Sequence, residues 1–282
     1  MTASLLDATT RLWVRVTGRT VDLARTPWLQ GPVGDATHVG ADWLAAEGAR
    51  LGATVAPATD GSGPDRGLLA SMAALDRPGF AAEALADPVR RFYERTSRWR
   101  LDAWVGWAPW AWPFGWAVAA LFARRLDQLA LPMRSLDLAH GMSSAVTPLT
   151  RDGEQVGALW LRRLRRTGRI VFSGLYGVVT LPGSGEPAVR VAFPLPAGRL
   201  VVLLRPVARP DGSLLLTSGP GAWGEPGAYL VVEGPRRVRA RRIPVHEEFH
   251  VLLDAEGVLR TDHRLDLGPL PVLRLHYRLT ET

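Results

Sequence analysis

The sequence predicts an α+β chain in which a helical N-terminal half packs on a C-terminal antiparallel β-barrel, or strongly curved sheet, of about 9–10 strands. Two observations carry this expectation. Before residue 150 the chain is rich in Ala, Leu and Trp, with apolar residues at helical spacings; after it come short β-branched runs punctuated by Gly, Pro and Asp-Gly. No helical pattern separates the later runs, which argues against parallel βαβ units. The expected division is residues 1–150, helical and Trp-rich, and residues 151–282, barrel-like.

In the first half, "ADWLAAEGARL" (41–51) reads as a short helix and "PATDGSGPDRG" (57–67) as a loop and the region's best hinge. The stretch "FAAEALADPVRRFYERTSRWRLDAW" (80–104) places Val89, Phe92, Tyr93, Thr96 and Trp99 near one face, with Glu94 and Arg98 one turn apart on the other. That spacing predicts an amphipathic helix. A second helix is predicted over "FGWAVAALFARRLDQLAL" (114–131), ended by Pro132. In the second half, strand-like runs occupy 155–163, 169–181, 188–193, 199–207, 213–218, 228–234, 236–243, 249–254, 258–267 and 271–279. "RPDGS" and "DAEGV" are short enough to join neighbouring antiparallel strands.

The net charge of +7 and isoelectric point near 10.9 suggest at first an anionic partner. The chain, however, has no Lys, no Asn and only two Ile, so all 34 basic residues are Arg, a pattern of GC-rich coding. Arg scarcely deprotonates, which inflates the isoelectric point beyond what the charge warrants. The cluster "GPRRVRARR" has no aromatic residue on which a base could stack, so nucleic acid is not an expected partner. The absence of Cys excludes disulfides and thiolate chemistry. "MTASLLDATTRLWVRV" has neither a basic n-region nor a long apolar core, so the expected location is cytoplasmic.

"IPVHEEFHVLLD" (243–254) spells the H-E-x-x-H of zinc hydrolases. On a helix, two His four residues apart lie within about 6 Å of each other; on a strand they are separated by roughly 13 Å. Alternation favours the strand: Val245, Phe249, Val251 and Leu253 share a face, interrupted by Glu247, while His246, Glu248, His250 and Asp254 fall on the other. A zinc hydrolase using His246, His250 and Glu247 is therefore the alternative, and neither metal nor cofactor is expected.

"AWVGWAPWAWPFGWAVAALFA" (103–123) has no charged residue and holds five of the 11 Trp. Its length would permit a membrane span, but Pro109, Pro113, Gly106 and Gly115 interrupt it. It is expected to be buried, with Trp110, Trp112 and Trp116 as a pocket wall; a transient membrane contact beside Arg124 and Arg125 is the other possibility. Parity along "VLRTDHRLDL" puts His263 on an otherwise largely apolar face with Leu259, Thr261, Leu265 and Leu267. Tyr277 lies with Leu273, Leu275 and Leu279, and Tyr176 with Ile170, Phe172 and Val178. A polar group on such a face must find a partner or a ligand. The expectation is a lipophilic small molecule or acyl chain inside the barrel, shielded, isomerised or cyclised there, with acid-base chemistry from His263 and Tyr277 and contacts from Tyr176 and the Trp wall.

Overall fold

The computed structural model describes residues 5–34, 43–56, 65–111, 141–168 and 170–281. In chain order the elements are α1 (Leu5–Thr17), β1 (Arg19–Val21), α2 (Trp43–Leu51), β2 (Thr54–Val55), α3 (Asp87–Glu94), β3 (Trp99–Trp107) and β4 (Met142–Arg151). They continue with β5 (Glu154–Leu164), β6 (Ile170–Thr180), β7 (Pro187–Leu195), β8 (Gly198–Ala208), β9 (Leu214–Thr217), β10 (Gly227–Glu233) and β11 (Val238–Ile243). The last are β12 (Val245–Leu253), β13 (Leu259–Leu267) and β14 (Leu270–Glu281).

Ten of these strands close an antiparallel barrel, β3 to β9 followed by β12, β13 and β14, with β14 pairing back on β3. The expected helical half is overturned. Among the described residues, α-helix is confined to α1, α2 and α3, and the barrel crosses residue 150 to take β3 and β4 from the first half. The helix predicted over 80–104 survives only as α3: Arg95 leaves helical dihedrals at φ −140°, and a 3-10 turn over Thr96–Arg98 feeds β3. From Trp99 onward a period of two takes over, with Trp99, Leu101 and Ala103 buried and Arg100 and Trp104 exposed. The helix predicted over 114–131 and most of the loop over 57–67 lie outside the described residues.

Local chemistry explains the turns and the junctions. Asp152 and Gly153 both have positive φ, 54° and 83°, as a two-residue hairpin between β4 and β5 requires. Strand β8 serves two neighbours on one edge: Gly198–Leu203 pairs with β10, and Arg205–Ala208 pairs with β9. At Gly198 a Cβ would stand 2.2 Å from the Val231 carbonyl oxygen, so only glycine lets β10 approach there. Beyond β10 the sheet continues outward through β11 to β1. Arg239 and Arg241 of the basic run donate to the Gly18 and Thr17 carbonyls at the end of α1.

Closure rests on β9. Its residues Leu214–Thr217 pair with Arg205–Ala208 on one side and with Glu248–Val251 on the other. Serines fasten both ends. Ser218 N donates to Glu247 O and Ser218 Oγ accepts from Glu247 N, each at 2.8 Å, while Ser213 Oγ lies 2.9 Å from His250 Nε2. His246 Nδ1 is 3.1 Å from Ser218 O.

Two apolar layers follow. One fills the barrel and runs into the segment 66–98, whose Leu68, Met72, Leu75, Phe80, Phe92 and Tyr93 join the interior cluster. This segment stops one end of the barrel. Gln155 donates to the Gly67 and Leu68 carbonyls, Ala86 N to Gly212 O, and Arg77 to Pro206 O, so it is tied to the chain ends of β5 and β8 and to the β8–β9 turn. The second layer lies outside the wall, where Trp28, Leu29 and Trp43 cover Leu159, Leu175, Val201 and Leu203. Arg199 is buried there, bonded to Glu233 and the Leu29 carbonyl, and burial lowers the Arg190 guanidinium to about 10.

Two outcomes follow. Ser218→Ala leaves the Glu247 amide without its acceptor and is expected to cost about 1–3 kcal/mol, read by denaturant unfolding, with faster amide exchange confined first to β9 and β12. An unchanged midpoint would mean that β9 is not the seal. All four tyrosines, Tyr93, Tyr176, Tyr229 and Tyr277, are held above the ordinary phenol pKa, chiefly by burial. The unfolded chain therefore ionises first, and stability that is complete below about pH 10 falls as pH rises toward the folded values. A spectrophotometric titration should show no tyrosinate before unfolding begins; a tyrosine ionising near pH 10 in the folded protein would contradict this burial.

Candidate functional site

Alternation around the ring sorts the side chains between wall and interior. On β5, Ala158 and Trp160 point inward with Arg162; on β6, Phe172 and Tyr176; on β7, Val191 and Phe193. On β12, Val245, Glu247 and Phe249 point inward; on β13, Thr261, His263 and Leu265; on β14, Leu275, Tyr277 and Leu279. These residues surround a space of about 220 Å³ inside the barrel, reached also by Phe92 and Tyr93 of α3.

Its walls are aromatic. Trp160 meets Phe172, Tyr176 and Phe92 edge to face at centroid distances of 5.5, 5.4 and 6.2 Å, and Phe172 meets Phe193 at 5.1 Å. Gly174, the ladder partner of Trp160, leaves room for the rings of Phe172 and Phe193, which a Cβ there would meet at 3.2–3.4 Å. The Arg162 guanidinium stacks over Trp160, 3.6 Å from the ring centroid, and lies 5.2 Å from the ring of Tyr277.

Opposite this cation stands an acid-base pair. His263 Nε2 is 3.5 Å from Glu247 Oε2, with the two side chains 11% and 14% exposed. His263 and Phe249 are ladder partners, and their rings stack at 3.9 Å and 16°. Neither nitrogen of His263 makes a hydrogen bond. Burial raises the Tyr176 and Tyr277 phenols; Arg162 opposes the rise at both, and Glu247 adds to it. The interior therefore holds the two phenols in their neutral form beside the Arg162 guanidinium.

Of the residues singled out in the sequence, His263, Tyr277 and Tyr176 line this one space. Trp110 does not. It sits in the turn after β3, 40% exposed, donating from Nε1 to the Pro271 carbonyl at 2.9 Å. Trp112 and Trp116 lie outside the described residues. Arg162 and Trp160 were not singled out as site residues, and Glu247 was named only for the zinc-hydrolase alternative, although their positions follow from parity: Arg162 shares a face with Trp160, and Glu247 interrupts an apolar face. Ile170, expected to share a face with Tyr176, points outward, because a bulge opposite Arg162 and Arg163 shifts the register between it and Phe172. The H-E-x-x-H residues are on strand β12, with His246 and His250 turned outward to different partners at the two ends of β9. A strand cannot bring both to one metal ion, which removes the zinc-hydrolase alternative in its helical form.

No family model matches the chain, and no solved structure matches it. It is 27% identical, over 221 residues, to the uncharacterized membrane protein YndJ of Bacillus subtilis strain 168. The match covers 76% of this chain and 38% of that protein, so the chain spans well under half the length of its relative. The name of the relative weighs against the cytoplasmic location expected from the N-terminal sequence, and that expectation is withdrawn. Among the described residues no helix is long and apolar enough to cross a membrane, a statement that concerns helices and not strands.

Proposed function

We propose that the barrel binds a compact, largely apolar small molecule in its interior. The observation that carries this reading is the space of about 220 Å³ inside the barrel, walled by Trp160, Phe172, Phe193 and aliphatic side chains and furnished with a few polar groups. Barrels of eight or more strands are wide enough to hold one small ligand. The volume is below the roughly 300–1,000 Å³ of drug-sized sites, which favours a compact molecule over a long acyl chain. His263 beside Glu247, together with the Tyr277 and Tyr176 phenols, extends the reading to redox-neutral proton transfer on the bound molecule, an isomerisation or cyclisation.

Native mass spectrometry of the gently purified full chain is expected to reveal a co-purifying small molecule recoverable by organic extraction. Val191→Phe, which places a ring in the cavity, should melt within a few degrees of the parent and lose the adduct. The same adduct on the filled barrel would place the ligand elsewhere and sink the reading.

A second observation favours loading at a lipid surface. The end of the barrel opposite the segment 66–98 exposes Trp110, Leu267 and Leu270, 40%, 42% and 50% accessible, and the β5–β6 turn at that same end exposes Arg165 and Arg166. The similarity to a protein named for a membrane agrees with this placement. The full chain should float with vesicles containing phosphatidylglycerol, less so at high salt and less so as Leu270→Asp. Flotation insensitive to lipid charge, salt and this substitution would dismiss the membrane reading.

A further inference from the structure

We infer that the molecule held in the barrel is a compact apolar carboxylate whose carboxylate group is received by Arg162. The inference rests on the reading of the barrel as a ligand carrier and adds the ligand's charge and the residue that recognises it.

Arg162 is the reason. Its neighbours in the cavity are the rings of Trp160, Phe172 and Tyr277. Its Nε is buried with no hydrogen bond. Among the described residues no carboxylate lies within ion-pairing distance of it, and Glu247, the sole carboxylate lining the cavity, stands beside His263. The cation thus enters an apolar interior with aromatic faces and a neutral phenol as company. A guanidinium is weakly hydrated, flat and a two-pronged donor, and a carboxylate complements it in both charge and geometry.

The surroundings narrow the class. The cavity is too small for a large polyanion, and its edge-to-face rings form flat slots suited to an aryl or short aliphatic body. Glu247 disfavours a second negative charge, so a monoanion fits best. His263, with both nitrogens unbonded and Glu247 at 3.5 Å, offers the anion a second donor through its ring N–H.

The test is isothermal titration of the full chain with benzoate and hexanoate, each set against its primary amide, which keeps the shape and removes the charge. The acids should bind roughly ten- to a hundredfold more tightly than the amides, the span of one charge-assisted hydrogen-bonding pair. Arg162→Met should abolish that preference, leaving each acid no tighter than its amide. Glu247→Gln should tighten binding of the acids alone, which keeps the question answerable if the Arg162 variant does not fold. Equal affinity for acid and amide in the parent protein overturns the inference while the carrier reading stands. Absence of binding by all four probes overturns both.

Discussion

A ring of antiparallel strands exists only if its ends meet, and here they meet through four residues, Leu214–Thr217, hydrogen-bonded along both edges. So short a strand contributes few ladder bonds, and its ends would fray if the ladder were all that held them. The side chains around it supply the rest: Ser218 exchanges bonds with the Glu247 backbone, Ser213 with His250, and His246 meets the Ser218 carbonyl. The two histidines that resemble a metal motif thus act on the outside of the wall, one at each end of the closing strand. Between them Glu247 points the other way. The stretch that seals the barrel therefore also delivers the interior's carboxylate, which couples the geometry of the site to closure.

Once the ring is closed, an inward polar side chain is largely withdrawn from water, and its cost depends on what it finds. Arg162 finds aromatic faces and a phenol; His263 finds a stacked phenyl ring and a carboxylate just beyond hydrogen-bonding distance. Neither arrangement recovers the hydration it replaces as fully as a well-bonded ion pair does. Aliphatic residues at positions 162, 247 and 263 would fill the interior at less cost. The stability of the fold comes instead from the two apolar layers and the ladders, so the interior polar groups are better explained by what they do to a guest than by what they do for the wall.

Much of this was legible in the sequence, for a physical reason: a half-buried strand writes its two faces in alternate letters. Parity along β13 and β14 puts His263 and Tyr277 indoors, and "RPDGS" marks the turn that joins β8 to β9. The same rule applied to "ALWLRR" would have put Arg162 beside Trp160, but a dense arginine cluster reads as a solvated face. Strands β3 and β4 were hidden for other reasons. In β3, Trp104 sits on the outer face and Gly106 interrupts the alternation; in β4, Pro148 and the small polar residues Ser143 and Ser144 obscure it. The apolar spacing over 80–104 fits a helix and a strand over different halves, and only the exit of Arg95 from helical dihedrals separates them. The bulge beside Arg163 is a backbone event that parity cannot foresee.

The ends of the barrel are not equivalent, and this constrains how the interior can be reached. At one end the segment 66–98 is bonded to the chain ends of β5 and β8 and to the β8–β9 turn, and Phe92 and Tyr93 occupy the bore; Arg91 adds an ion pair to Glu281, the last residue of β14. Opening it would break many bonds at once. At the other end lie the β5–β6 and β13–β14 turns, and there the chain leaves β3 and returns to β4, which meet through the single ladder pair Leu101 and Met142. Among the described residues this seam is the shortest ladder in the ring, and its unpaired length runs toward the end that exposes Trp110, Leu267 and Leu270. Arg162 is two residues from the Leu164 end of β5, on the strand whose neighbour β4 borders that seam. Access by this route would bring a guest's charged group to Arg162 early and its apolar body afterwards into the aromatic slots, an order in which the anion is neutralised before the rest of the molecule is desolvated.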